Sequence, residues 1–295
     1  MPLIATLIAD PARRALKPAL TAAAAEALGA DTIDWLADGI ACDIALPPAI
    51  DAAGAQATLA EVLAGQPVDH AVQEAATRRK KALIADMDST MIGQECIDEL
   101  ADEAGFREEV SAITARAMNG EIEFEPALRQ RVALLRGLPV AIVEKVIAER
   151  ITLAPGGREL VATMRAGGGH TVLVSGGFTR FARPIAATIG FDTFSANVLG
   201  EKDGVFDGTV AEPILGRRAK VETLNRVAAE HGLAPDDFFA AGDGANDLDM
   251  LALAGTGVAL HAKPAVAAQA RIRIDHGDLT ALLYLQGYRQ SEFAA

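Results

Sequence analysis

Ala82-Leu83-Ile84-Ala85-Asp86-Met87-Asp88-Ser89-Thr90 is the stretch on which the fold turns. Four apolar residues in a row read as a short strand buried on both faces, and the polar run after them reads as the loop at its carboxyl end. The pattern recurs downstream in His170-Thr171-Val172-Leu173-Val174 before Ser175-Gly176-Gly177, and in Phe238-Phe239-Ala240-Ala241 before Gly242-Asp243-Gly244-Ala245-Asn246-Asp247. A fourth strand is expected at Gly257-Val258-Ala259-Leu260, with helical patterns over 157–166, 181–189, 219–231 and 247–253. Strands alternating with helices predict an α/β fold, a Rossmann-like parallel sheet covered by helices on both faces. In such sheets ligands gather beyond the carboxyl ends of the strands, so the polar loops are the places to look.

Between the first two of these strands lies a charged, helical insertion over about 95–153, which reads as a separate cap. Upstream, 1–78 reads as a small α+β domain: a strand at 3–9, a helix from Pro18, a hairpin over 32–46 turning at Asp38-Gly39, and a helix over 55–63. The remaining 79–295 is then the second domain, carrying the cap. Arg78-Arg79-Lys80-Lys81 reads as a solvated linker rather than a nucleic-acid patch, since only four charges sit together in an acidic chain. Trp35 is expected in the core of the N-terminal unit.

The 295 residues carry 27 basic and 40 acidic side chains, a formal net charge of −13. That argues against nucleic acid as a partner, because such binding needs a basic footprint. It equally disfavours docking on an anionic membrane. The chain is 51% hydrophobic but only 4% aromatic, so its core must be mostly Ala, Leu, Val and Ile. Cys42 and Cys96 form no disulfide framework, and the five histidines (His70, His170, His231, His261, His276) lack zinc-site spacing. The start has no basic region before an apolar run, and no apolar stretch approaches the roughly 18 residues of a membrane span. A cytoplasmic protein is expected.

Each polar loop has a chemical reading and a plain one. Asp86 and Asp88, two apart on extended backbone, point to the same side, which calls for a cation or a shared proton; an Asx turn with solvated carboxylates would fit the string alone. Ser175-Gly176-Gly177 offers a hydroxyl and close N–H groups to a phosphate oxygen, or simply a turn. Asn246 or Asp247 could be a helix cap, but Asp243 between two glycines is harder to explain that way and suits Mg²⁺. Lys220, alone, would be a surface lysine. Cys96 is read as a buried small residue rather than a reactive thiol.

Taken in order, Asp86-x-Asp88-x-Thr90, then Ser175, then Lys220, then Gly242-Asp243-x-x-Asn246-Asp247 resembles the haloacid dehalogenase superfamily of phosphohydrolases over about 82–270. Glu95, Phe124-Glu125, Leu128, Arg129-Gln130-Arg131-Val132 and Val174-Ser175-Gly176-Gly177-Phe178 are similar to the phosphoserine phosphatase branch. The resemblance implies that Asp86 is the nucleophile and Asp88 the general acid and base. It implies Mg²⁺ held by Asp86, the Asp88 carbonyl and Asp243, with Asp247 in the outer shell. Ser175, Gly176, Lys220 and Asn246 would hold phosphate, Glu95 the substrate ammonium and Arg131 its carboxylate, with Phe124 and Met118 closing over them. The implied activity is hydrolysis of O-phosphoserine, the last step of serine biosynthesis. Alternatives are another small phosphomonoester, phosphoryl transfer to an alcohol, or a non-catalytic amino-acid-binding protein. The N-terminal unit resembles part of an ACT-type module by fold analogy only; homodimerisation or a purely structural role stays equally open.

Overall fold

The computed structural model describes residues 2–294, which form two compact units. The smaller comprises 2–81, Pro155–Gly169 and 271–294; the larger comprises Ala82–Ala154 and His170–Ala270.

The smaller unit holds a four-stranded antiparallel sheet in the order Ile33–Ala37, Ala41–Ala45, Leu3–Ala9, Val68–Glu74. Gly39, at φ +70°, makes the hairpin turn between the first two. Helix Pro18–Ala27 begins on its proline, which has no N–H to leave unpaired there. Helix Ala52–Val62 is capped by Asp51, whose carboxylate accepts the Gly54 N–H at 2.7 Å. Leu7, Cys42 and Ile44 from the sheet pack with Leu16, Leu28 and Leu59, and Trp35 lies against this core.

Two features of this unit depart from the sequence reading. The strand Val68–Glu74 was not expected, because Asp69, His70, Gln73 and Glu74 mask its period. Pairing along all seven residues with Leu3–Ala9 holds it. The buried carboxylate of Asp69 also accepts the backbone N–H groups of Asp275 at 2.8 Å, His276 at 3.0 Å and Gly277 at 2.7 Å. The basic run at 78–81, expected to be solvated, is tied down at its start. Arg78 pairs with buried Asp43 at 2.7 Å, and Asp43 also accepts the Thr6 hydroxyl at 2.7 Å. A carboxylate in a sheet face needs such partners, since an unpaired buried charge is costly. The Arg79 guanidinium lies 3.8 Å from the centre of the Tyr288 ring.

The larger unit contributes five parallel strands, in the order Thr256–Leu260, Phe238–Gly242, Ala82–Ala85, His170–Phe178, Thr193–Asn197. Ala82–Ala85 is central and wholly buried, as an apolar run between two helical layers must be. Helices Thr179–Ile189, Arg217–His231 and Leu248–Leu253 follow their strands. The strand from His170 runs through Ser175-Gly176-Gly177 to Phe178 rather than stopping at Val174, with an irregularity in its pairing there. The edge strand Thr193–Asn197 and the hairpin of Leu199–Lys202 with Val205–Val210 went unread, being short and polar. The insertion folds into helices Cys96–Glu103, Arg107–Met118, Phe124–Leu134 and Ile142–Arg150. Among the described residues no helix is long and apolar enough to cross a membrane.

Candidate active site

Three strand ends of the larger unit converge. Asp86 follows Ala85 directly, and its N–H donates to the Ala241 carbonyl at 3.0 Å, which ties the first loop to the strand that ends in Gly242 and Asp243. Helix Arg217–His231 brings Lys220 in its first turn, with no exposed surface. Its ammonium lies 2.8 Å from Asp86 Oδ1 and 2.6 Å from Asp247 Oδ1. Asp247 Oδ2 accepts the Gly244 N–H at 3.0 Å. Burial disfavours the charge on Lys220, but the contacting carboxylates of Asp247 and Asp86 outweigh it and hold its pKa above the usual lysine range.

The carboxylates feel the opposite pressure. Burial, then repulsion from Asp247, drives Asp86 well above the ordinary carboxylate range and Asp243 up to about 6. One oxygen from each of Asp86, Asp243 and Asp247 lies within 4.8 Å of the others. Asp243 Oδ1 accepts the Thr90 hydroxyl at 2.9 Å, while its buried Oδ2 has no hydrogen-bond donor and lies 3.4 Å from Lys263 Nζ. Three crowded carboxylates with an orphaned oxygen form a hard-oxygen donor set that can hold a metal ion.

Asp88 is held differently. Its Oδ1 accepts the Cys96 N–H at 3.0 Å and its Oδ2 faces the Ser175 hydroxyl at 3.4 Å. Burial raises its pKa, so it is suited to carry a proton. Ser175 Oγ also accepts the Gly177 N–H at 2.8 Å. Cys96 is wholly buried, and burial followed by Asp88 pushes its thiol well above its usual range, away from reactivity.

A cavity between sheet and cap is lined by Asp86, Asp88, Glu95, Met118, Phe124, Arg131, Gly176 and Asn246, together with Ile97, Gly177 and Phe178. Ser175, Lys220, Asp243 and Asp247 lie outside that lining, among the buried groups that meet Asp86 and Asp88. Glu95 accepts the Ser89 hydroxyl at 2.7 Å; burial and then Asp88 push its pKa up to about 8. Ser89 itself sits at φ +55°. Arg131, 2% exposed, donates from Nε to the Ala127 carbonyl at 3.1 Å and from Nη1 to Thr114 Oγ1 at 2.9 Å. Its buried Nη2 has no partner, and neither has Asn246 Oδ1.

The cap rests on glycines. A methyl group added at Gly176 would lie 2.6 Å from Phe124 Cζ, and one at Gly216 would lie 3.2 Å from Phe124 Cδ1. One at Gly244 would lie 3.0 Å from Met118 Sδ. Sequence reasoning missed Gly216 and Gly244 in this role, along with Ser89 and Lys263. Thr90 stood in the quoted string without an assigned contact. Only Ser89, Thr90 and Gly244 had a sequence signal, by lying inside the motifs.

With this geometry established, the family model of haloacid dehalogenase-like hydrolases matches residues 83–252. The chain belongs to that family. The relatives and structures it resembles point to one branch of it. It is 38% identical over 89% of its length to phosphoserine phosphatase SerB2 of Mycobacterium tuberculosis, covering 64% of that protein. It is 42% identical to a solved phospho-aspartyl intermediate analogue of phosphoserine phosphatase, with a TM-score of 0.67, covering 70% of this chain and 98% of that one. A haloacid dehalogenase family hydrolase from Salmonella enterica serovar Typhi is similar over 96% of this chain and 98% of its own, at 29% identity and a TM-score of 0.84. The chain spans 64%, 58% and 64% of the length of the first three curated phosphoserine phosphatases it matches.

Proposed function

We propose that this chain is a Mg²⁺-dependent phosphoserine phosphatase. The observation that carries the reading is that one cavity is lined both by the Asp86–Asp88 pair and by two groups of opposite sign, the half-buried Glu95 and the buried Arg131. The first pair suits phosphoryl transfer. The second suits the ammonium and carboxylate of an amino acid.

The Asp86 carboxylate attacks phosphorus, forming an aspartyl-phosphate as the bond from phosphorus to the serine oxygen breaks. Asp88, whose raised pKa favours its protonated form, gives its proton to the departing serine oxygen. It then takes a proton from the water that attacks the aspartyl-phosphate, and phosphate leaves as Asp86 is restored. Lys220, 2.8 Å from Asp86, opposes the rise in pKa that burial and Asp247 cause and so favours the ionised, attacking form. Gly176, Ser175 and Asn246 hold phosphate oxygens. Asp86, Asp243 and the Asp88 carbonyl, with Asp247 behind, would hold Mg²⁺, which when bound neutralises charge on the transferring phosphoryl. Glu95, with its pKa at about 8, is drawn down into its charged form by an arriving ammonium.

The same reading takes 1–78 as a small α+β domain, ACT-like by fold analogy only, and 79–295 as the phosphatase domain with its cap at 95–153, although 155–169 and 271–294 pack with the first unit. Free, buried Cys42 and Cys96 suit a reducing, cytoplasmic setting, and a product serine would place the reaction at the last step of serine biosynthesis. Serine and phosphate release from O-phosphoserine, with Mg²⁺ and with chelator, tests the proposal. We expect turnover that needs Mg²⁺ and falls steeply on phosphomonoesters lacking the amino and carboxylate groups. Equal turnover of both kinds of substrate would sink it.

A further inference from the structure

Among the described residues, Arg131 is the cap's one contribution of positive charge to the cavity lining, and the way it is held is specific. Two of its N–H directions are used inside the cap: Nε on the Ala127 carbonyl one turn back in its own helix, and Nη1 on the Thr114 hydroxyl in helix Arg107–Met118. Nη2 is left buried and unpartnered. A guanidinium held at two points has its plane fixed, so the third nitrogen has a fixed direction.

Thr114 does more than accept. Its hydroxyl lies 2.7 Å from Asp98 Oδ1 and 3.0 Å from the Val110 carbonyl. It has one proton to give, and the shorter, charge-assisted bond runs to Asp98. The result is a chain from Arg131 through the Thr114 hydroxyl to Asp98 in helix Cys96–Glu103. Glu95, Asp98 and Asp88 are the acids whose fields offset the burial of Arg131. Of these, Asp98 is the one joined to it through hydrogen bonds. A carboxylate in direct contact with the guanidinium would occupy the fork that a substrate needs. One hydroxyl away, it compensates the buried charge and leaves Nη2 open.

We propose that Thr114 is a positioning residue for Arg131, and that Asp98 behind it is a counter-charge kept out of the substrate's place. The inference rests on Arg131 reading the substrate carboxylate. It adds that specificity for that carboxylate is set by a residue pair outside the cavity lining.

The test compares O-phosphoserine with 4-nitrophenyl phosphate, which has no carboxylate, in the full-length enzyme with Mg²⁺. Thr114→Val keeps the shape and removes the hydroxyl. It is expected to raise KM for phosphoserine by about tenfold or more, with little change in kcat and little change in either constant for the aryl phosphate. Thr114→Ser is expected to restore the wild-type KM. Parallel shifts for both substrates, failure of Thr114→Ser to rescue, or an unchanged phosphoserine KM would each overturn the proposal. If Thr114→Val does not fold, Asp98→Asn serves, since it keeps the acceptor and removes the charge: a selective KM rise supports the counter-charge and an unchanged KM overturns it. Arg131→Ala separates the two levels of argument. If it weakens both substrates alike, the reading of Arg131 fails. If it is selective while the Thr114 variants are not, the positioning role alone fails.

Discussion

Asp86 and Asp88 stand two residues apart and are held by opposite means, one by a buried ammonium and one by a backbone N–H and a hydroxyl. That difference is what the proposed division of roles between them draws on. Asp86→Asn keeps the shape and removes the proposed nucleophile, so turnover is expected to fall by roughly 10⁴-fold or more; near-normal kcat in a Mg²⁺ assay would refute the role. Lys220→Met is expected to destabilise the metal-free protein by about 3–5 kcal/mol, because Asp86 and Asp247 would lose their shared cation. Urea unfolding in chelator measures it, and an unchanged midpoint would show that Lys220 is not what holds the two acids. These residues were legible because the chemistry of a strand-end loop is written locally, within a few positions. Thr114, Asp98 and Lys263 were not, since each acts across a distance that a sequence does not display: Thr114 and Arg131 lie on different helices, and Lys263 meets Asp243 from beyond the next strand.

At the scale of elements, the strand His170–Phe178 matters most for the site, because its last residues form one wall of the cavity. A methyl group at Gly177 would lie 2.6 Å from Asp88 Oδ2 and 3.0 Å from Ser175 Oγ. Gly177→Ala is therefore expected to displace Asp88 and cost roughly 100-fold in kcat while leaving the thermal midpoint near wild type. A variant with full activity would show that Asp88 tolerates the displacement. Strand Ala82–Ala85 was readable because burial on both faces leaves an unbroken apolar run. Val68–Glu74 was not, because its polar residues find partners in the folded chain: Asp69 meets the 275–277 backbone. The cap was readable as helical and charged, but its seating on Gly176, Gly216 and Gly244 was not, since nothing local distinguishes those glycines from turn glycines.

At the scale of the whole molecule, a net charge of −13 looks unsuited to binding a phosphate dianion. The structure locates part of that charge in a buried trio, two members of which, Asp86 and Asp243, are held by burial against ionisation. Asp243, at about 6 against an ordinary 3.8, illustrates the sign. A carboxylate raised in the folded state favours folding while protonated, and that advantage is lost as pH climbs from about 4 through about 6. The gap is on the order of 3 kcal/mol. Glu95, at about 8, extends the same trend upward. The metal-free protein should thus lose stability across that range, and Mg²⁺ should restore it more at pH 8 than at pH 5, where protons compete for the same oxygens. Thermal melts with Mg²⁺ and with chelator at both pH values measure this; an equal gain at the two would remove the carboxylate trio as the binding site.

The grouping of 155–169 and 271–294 with 2–81 has a consequence for engineering. The polypeptide crosses from one unit to the other four times, after residues 81, 154, 169 and 270. Neither unit can then be lifted out as one uninterrupted length of gene. A swap that exchanged only the first eighty-one residues would strand Asp275, His276 and Gly277 without the carboxylate that receives their N–H groups. A graft of the smaller unit onto another hydrolase must carry its distant tail along, or supply a new acceptor where Asp69 now stands.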